Sequence, residues 1–214
     1  MTKILIAAFM LLTFTSKTQA QVDPKAQEIL KGVSAKYKSY KSLTAAFKVN
    51  ILDQKTKKSE AQSGSITLRG GQFNLVMADQ TVMSDGKTTW TYLKESNEVQ
   101  ISETKITPDA ITPTTIFTMY EKGFKSKFLG EKTITGKAVQ QIELIPDDNK
   151  KNYFKIVLNI DKAGKYVSEA KIYDKSGNIM TYSIVKFVPN AVVSDELFSF
   201  NNVKYPGVEV VDLR

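Results

Sequence analysis

The chain has 214 residues, a length that fits one domain of the β-barrel or β-sandwich type. It contains no cysteine and no histidine, which excludes disulfides, thiol nucleophiles and histidine acid–base catalysis and removes the usual zinc ligands. The formal net charge of +8 favours anionic partners, but most basic residues are scattered singly, with small clusters at Lys55, Lys57, Lys58 and at Lys150, Lys151, which is typical of a solvated surface.

Residues 1–20 predict a cleaved secretory signal. Lys3 forms a short basic start, residues 4–14 form an apolar stretch, and small residues precede a plausible cleavage point after Ala20. The apolar stretch is about half as long as the roughly 20 residues that a membrane-spanning helix needs. We therefore expect an exported protein with a single domain over residues 21–214 and no lipid-modified cysteine.

A helix is predicted directly after the signal, and strands follow it. Asp23 suits the N-cap and Pro24 the first helical position, with apolar residues at helical spacing up to Tyr40. From Leu43 onward the apolar period changes to two, which predicts an antiparallel meander. Its predicted strands are 43–52, 64–69, 72–78, 88–93 and 98–103.

Turn residues and a second apolar helix interrupt this meander. Asp85-Gly86 predicts a tight hairpin with both central residues at positive φ, and Gly70-Gly71 predicts a bend or bulge. Residues 113–122 predict a short helix whose apolar face is too wide for its length, ended by Gly123. Further strands are predicted at 138–146, 153–161, 166–174 and 178–187, before a short turn and a final extended piece.

The large apolar residues allow either a filled core or a container. Phe73, Leu75 and Met77 share one face of a strand, and Trp90 and Tyr92 share a face of another. A curved sheet around a cavity and a curved sheet packed on a helix both produce this pattern. Lysines alternate with aromatics at 152–166, as in single-strand nucleic-acid binding, but half-buried strands look the same, so we expect no nucleic acid.

Four segments in a fixed order resemble one known family. They are "GSITLRGGQFNLVM" (64–77), "VMSDGKTTWTY" (82–92), "DELFSF" (195–200) and "PGVEVVDLR" (206–214). Behind the signal and the first helix, this set resembles the periplasmic outer-membrane lipoprotein carrier proteins, the LolA family, from about residue 24 to the C-terminus. The resemblance implies an α+β, mainly β fold: an unclosed antiparallel β-barrel, or half-barrel, covered by α-helices around an apolar cavity.

The same resemblance implies roles for individual residues. Arg69 matches an arginine that ties the lid helices to the barrel, although family members usually have Arg-Pro where this chain has Arg69-Gly70. Phe73 matches a phenylalanine at the cavity mouth, and Leu75 stands where a tryptophan is frequent. Helix 113–122 would form part of the lid. The predicted cavity and lid residues are Arg69, Phe73, Leu75, Met77, Val82, Trp90, Tyr92, Ile116, Phe117, Met119 and Tyr120.

The function implied by the resemblance is non-enzymatic transport in the periplasm. A chain of about 16 carbons costs on the order of 12 kcal/mol to expose to water, at ~0.8 kcal/mol per methylene, so its transit requires a shield. We expect a monomeric carrier, without cofactor or metal, that takes acylated lipoproteins from an ATP-driven release complex of the inner membrane to an outer-membrane receptor or the outer membrane itself. The alternatives are a carrier of another lipid or glycolipid and a secreted, non-catalytic structural or sensory β-domain.

Overall fold

The computed structural model describes residues 23–104 and 119–214, and it begins with the predicted helix. Helix α1 (Pro24–Lys38) starts at a proline, and the Asp23 carboxylate caps it by accepting hydrogen bonds from the backbone N–H groups of Lys25 (2.9 Å) and Ala26 (3.2 Å). One stripe of the helix is buried: Ala26, Ile29, Leu30 and Val33.

Twelve strands in the described residues form one open sheet. They are β1 (Leu43–Asp53), β2 (Ser59–Arg69), β3 (Gln72–Val76), β4 (Gln80–Ser84), β5 (Thr88–Leu93), β6 (Glu98–Glu103), β7 (Phe124–Ile134), β8 (Lys137–Pro146), β9 (Tyr153–Asp161), β10 (Tyr166–Asp174), β11 (Asn178–Pro189) and β12 (Glu209–Asp212). Their spatial order is β12-β6-β5-β4-β3-β2-β1-β11-β10-β9-β8-β7.

The sheet consists of two meanders joined at β1. Strands β2–β6 and β7–β11 each pair with their sequence neighbours, whereas β1 pairs with both β2 and β11. All pairs are antiparallel except β12 on β6, which is parallel. Strands β12 and β7 end the order without pairing to each other, so the expected mainly β architecture with an unclosed sheet is confirmed.

Helix α1 covers one face of the sheet, which we call the inner face; the opposite one is the outer face. The core cluster joins the buried stripe of α1 to inner-face residues of β1 and β8–β10, among them Phe47, Ile142, Leu158 and Ile172. The helix contacts β7 and β10 directly. The main core therefore lies over the β7–β11 half of the sheet and β1.

Strand β7 was not predicted from the sequence. Its residues alternate between the inner face (Phe124, Ser126, Phe128) and exposed lysines, but a bulge between Phe128 and Gly130 breaks the period after three apolar or small positions. Gly130 has a φ of 120°, which favours glycine. The alternation begins directly after the predicted helix 113–122 and stops at this bulge. Too few residues alternate for the sequence to predict a strand here.

Asp23 fastens the start of α1 to edge strand β7. Besides capping the helix, its carboxylate accepts a hydrogen bond of 2.8 Å from the backbone N–H of Phe128. The bonds from the N–H groups of Phe128 and Ala26 hold the pKa of Asp23 below its ordinary value. One carboxylate therefore satisfies both a helix terminus and a sheet edge.

We expect Asp23→Asn to lower the melting temperature near neutral pH. Because the folded pKa is depressed, the stabilisation by Asp23 is complete above its unfolded pKa and is lost as the pH falls through the folded one. Melting curves between pH 2 and 7 should therefore converge for the two proteins at the acidic end. A constant difference in melting temperature at all pH values would show that the charge of Asp23 does not contribute to the stabilisation.

The two predicted turns differ in how they form. Gly70 and Gly71 join β2 to β3 as a two-residue hairpin turn, with Gly70 at a φ of 58°.

The hairpin turn predicted at Asp85-Gly86 lies one residue later in the structure. Gly86 has a φ of 95°, but Asp85 is not among the residues with positive φ. Instead its carboxylate accepts hydrogen bonds from the N–H groups of Lys87 and Thr88, both at 2.8 Å, so the turn centres on Gly86-Lys87.

Two predicted segments lie wholly or partly outside the described residues. The signal at 1–20 is outside, as are Ile116, Phe117 and most of the predicted helix 113–122. The described end of that helix is a 3-10 turn at Met119–Glu121, followed by Gly123 with a φ of 78°. The C-terminal part contains two further 3-10 turns, Asp195–Phe198 and Asn202–Lys204, before β12.

Candidate lipid-binding face

The inner face of β2–β4 carries a strip of apolar side chains beyond the part under α1. Strand register places Phe73 beside Leu68, and Leu75 between Ile66 and Val82. Phe73, Leu75, Met77 and Val82 are partly buried, and of these Leu75 and Met77 pack against the main core. The four predicted residues therefore lie on one continuous surface, which we call the apolar strip.

Gly64 allows the apolar strip to join the core closely. A Cβ atom at Gly64 would lie 2.5 Å from the Met77 sulfur, 2.7 Å from the Phe47 ring and 2.8 Å from the Val76 carbonyl oxygen. Real Cβ atoms essentially never approach other atoms so closely, and the carbonyl belongs to backbone that cannot move freely. The absence of a side chain therefore lets a flexible methionine lie directly over strand β2, where it can adapt to different ligand shapes.

The inner face becomes polar at β5 and β6. Val82 pairs with Thr91, Ser84 with Thr89, and the next pairs place Gln100 and Ser102 on the same face. The inner face of this half-sheet therefore changes from aliphatic and aromatic at Phe73, Leu75 and Val82 to hydroxyl and amide at its neighbours on β5 and β6, with Leu93 and Glu98 at the far end of the same face. An amphipathic ligand matches such a boundary better than a pure hydrocarbon does.

Trp90 and Tyr92 lie on the outer face, away from the apolar strip. Register pairs Trp90 with Met83, and Met83 pairs with Asn74, which alternates with Phe73 and Leu75. Because side chains of a strand alternate between faces, the two aromatics point away from the surface that carries Phe73. In "TTWTYL" it is Thr89, Thr91 and Leu93 that share the inner face with Val82, so we leave Trp90 and Tyr92 out of the candidate site.

Arg69 also lies on the outer face, bound to the C-terminal part of the chain. Its guanidinium forms an ion pair of 2.6 Å with Asp195, donates to Gln72 Oε1 at 3.0 Å, and lies 4.6 Å from the ring centre of Phe198. These contacts differ from the predicted link to helix 113–122, most of which lies outside the described residues. Leu68, one residue earlier, is the neighbour that faces inward.

Residues 194–208, which we call the C-terminal segment, cover the outer face of β3–β6. Asn74 donates to the Leu197 carbonyl at 2.8 Å, and the rings of Tyr92 and Tyr205 have centroids 4.4 Å apart. Phe198 is only 1% exposed, and the outer-face residues Met83 and Val99 are also buried. This makes a second apolar cluster, which was not predicted from the sequence; its signal was "DELFSF", in which Leu197, Phe198 and Phe200 are apolar.

Tyr120, the remaining described side chain among the predicted lid residues, lies in the main core beside α1. It is buried, and burial raises the pKa of its hydroxyl well above the ordinary value. A pocket of about 400 Å³ lies next to it between α1 and residues 120–126. Its lining mixes apolar and charged side chains, which differs from the apolar strip. For Met119 only the backbone turn is described.

Within residues 23–104 and 119–214, no three acidic, histidine or cysteine side chains meet in a group that could hold a metal ion. In the same ranges, no helix combines the length and the apolar character that crossing a bilayer requires.

Comparison with known proteins agrees with this architecture. The family model "Outer membrane lipoprotein carrier protein LolA" matches residues 38–201. An uncharacterised protein of Methanocaldococcus jannaschii is 30% identical over 184 residues, which are 82% of this chain and 51% of the relative. The chain thus spans about half the length of this curated relative.

Solved structures show the same fold at low sequence identity. An uncharacterised conserved protein from Thermus thermophilus superposes with a TM-score of 0.61 at 15% identity, covering 88% of this chain and 99% of that one. Lipoprotein LppX of Mycobacterium tuberculosis gives a TM-score of 0.51 at 13% identity, with 80% and 98% covered. With the family match over most of the described residues, we conclude that the chain belongs to the LolA family of outer-membrane lipoprotein carrier proteins.

Proposed function

We propose that this protein carries acylated lipoproteins through the periplasm and holds their acyl chains against the apolar strip. The observation that carries the proposal is the strip itself, in which Phe73, Leu75, Met77 and Val82 remain only partly buried on the inner face of an unclosed sheet. A filled core would bury such residues almost completely, as it does Ile142 and Leu158, which are 0% exposed.

The energetics of the strip suit reversible binding. Each methylene removed from water contributes about 0.8 kcal/mol, so a long acyl chain binds firmly to any sufficiently large apolar surface. Release requires that the open and closed forms of the carrier differ by little free energy, which an open sheet and an adaptable methionine favour over a closed, rigid pocket. Family membership and the open sheet support a carrier over an enzyme.

The partners and the route belong to the same proposal. The cargo is supplied by an ATP-driven release complex of the inner membrane and handed to an outer-membrane receptor or to the outer membrane itself, with the predicted signal at 1–20 directing export. The protein works as a monomer without a cofactor. A carrier of another lipid or glycolipid would use the same strip, and a structural or sensory β-domain would leave it unused.

Native mass spectrometry of the protein purified from the periplasm of a Gram-negative host tests the proposal. We expect a complex with one acylated lipoprotein, whose mass identifies the cargo after dissociation. A lipid or glycolipid without protein would support the other carrier. A protein free of lipid that also fails to bind an apolar dye would overturn lipid carriage and leave the structural β-domain.

A further inference from the structure

Three hydroxyl groups form a hydrogen-bonded cluster at the end of the apolar strip. Ser84 Oγ lies 2.8 Å from Thr104 Oγ1, which lies 2.9 Å from Thr89 Oγ1. Ser84 Oγ also accepts a bond of 3.1 Å from the backbone N–H of Gly86. We call Ser84, Thr89 and Thr104 the hydroxyl cluster.

Strand register places the hydroxyl cluster directly beside Phe73. Ser84 is the cross-strand partner of Phe73 on β3 and of Thr89 on β5, so all these side chains share the inner face. Paired residues on neighbouring strands lie about 5 Å apart. A ligand group at the Phe73 end of the apolar strip is therefore within reach of the cluster.

Counting protons shows that the cluster has one unused donor. Three hydroxyls have three protons, and the two bonds between them use two. The bond from Gly86 adds a proton to the cluster and consumes none. Ser84 is 0% exposed, and a buried hydroxyl normally uses its proton in a hydrogen bond, so Ser84 donates within the cluster. The unused O–H therefore belongs to Thr89 or Thr104, which are both partly exposed. In the part of the chain that the structure describes, no acceptor bonds to it.

We propose that the hydroxyl cluster binds the carbonyl oxygen at the head of an acyl chain. This inference rests on the proposed function and adds an orientation to it. The chain lies along Phe73, Leu75 and Val82, and the carbonyl accepts the unused O–H, where the inner face turns polar. The ester of a glyceryl-linked chain and the amide of an N-linked chain both offer this acceptor, and both lie at the boundary between hydrocarbon and polar head.

The alternative is that the cluster only stabilises the turn between β4 and β5. That role accounts for the bond from Gly86 to Ser84, but it needs no second and third hydroxyl. Thr104 lies beyond the end of β6 and bonds to Lys87 through its backbone N–H, so its side chain is not required to hold the turn. The test therefore leaves Ser84 intact and changes the two threonines.

Two lipids that differ in one carbonyl test the orientation. 1-Monopalmitoylglycerol has an ester carbonyl, and 1-O-hexadecylglycerol is its ether analogue with the same chain length. In displacement of a bound fluorescent apolar dye, we expect the unchanged protein to bind the ester about three- to tenfold more tightly, as one hydrogen bond implies. The double variant Thr89→Val, Thr104→Val should bind both lipids with the affinity of the ether.

Thr91→Val is the matched control, because Thr91 shares the inner face with Thr89 but makes no bond in the cluster; it should keep the ester preference. Circular dichroism confirms folding of the double variant, and Thr89→Val alone replaces it if it does not fold. Equal binding of ester and ether by the unchanged protein, or a preference that survives the double change, overturns the carbonyl site and leaves lipid carriage intact. Binding of neither lipid overturns both.

Discussion

Val82→Glu is expected to reduce the affinity for acyl chains at least about tenfold while leaving the protein folded. Val82 is partly buried on the inner face between Leu75 and Thr91, where a bound chain would have to cover the new carboxylate. Removing a charge from water without a partner is costly, and about 1.4 kcal/mol already corresponds to a factor of ten. Titration with a fluorescent fatty-acyl probe measures the change.

Val76→Glu is the control for this experiment. It introduces the same side chain one strand away, but Val76 lies on the outer face and is 37% exposed. We expect its affinity for the probe to match that of the unchanged protein. If both variants bind normally, the apolar strip is not the lipid site; if both lose binding equally, the loss reflects charge or folding rather than the inner face.

Phe198→Ala is expected to lower the free energy of unfolding by about 3–5 kcal/mol, as for other fully buried phenylalanines. Its ring is 1% exposed, packs from the C-terminal segment onto the outer face of the sheet and lies 4.6 Å from the guanidinium of Arg69. Urea denaturation followed by tryptophan fluorescence is well suited, because Trp90 lies on the same outer face. Limited proteolysis should also cleave the C-terminal segment faster.

Leu197→Ala provides the comparison, since Leu197 is the neighbouring residue but is 40% exposed. Leu197→Ala should lower the free energy of unfolding by well under half of the loss expected for Phe198→Ala, because it removes less buried apolar area. Equal midpoints for Phe198→Ala and the unchanged protein would show that the second apolar cluster contributes little to stability. The fold would then depend on the main core alone.

The helix and most strands could be predicted because their signals are local. Asp23 and Pro24 define the start of α1 by capping and by backbone geometry, and the predicted strand 153–161 coincides with β9. The period of two reports only that a residue shares a face with its second neighbour, and not which face is covered. That is why Phe73 and Leu75 could be grouped correctly, whereas the side of Trp90 could not be determined.

The placement of Arg69 shows the same limit. The sequence locates it at the end of a strand, but a shift of one position exchanges inner and outer faces, and its partner Asp195 is more than a hundred residues away. The second apolar cluster depends on such distant pairing as well. Whether the apolar strip binds lipid stays a prediction, since no local pattern distinguishes a lined cavity from an ordinary core.

The pairing of β1 with β11 has a consequence for how the chain folds. Each meander consists of contacts between sequence neighbours, which form quickly, but Leu43 pairs with Pro189 across most of the chain. The slow event is therefore the closure of one large loop that brings the first strand against the eleventh. Until then, the first strand can pair only with β2, and the assembled β7–β11 half lacks its neighbour. Because the two halves are assembled before this slow step, substitutions within either half should act mainly on the folding rate, whereas contacts of the junction that complete only after closure should act mainly on unfolding.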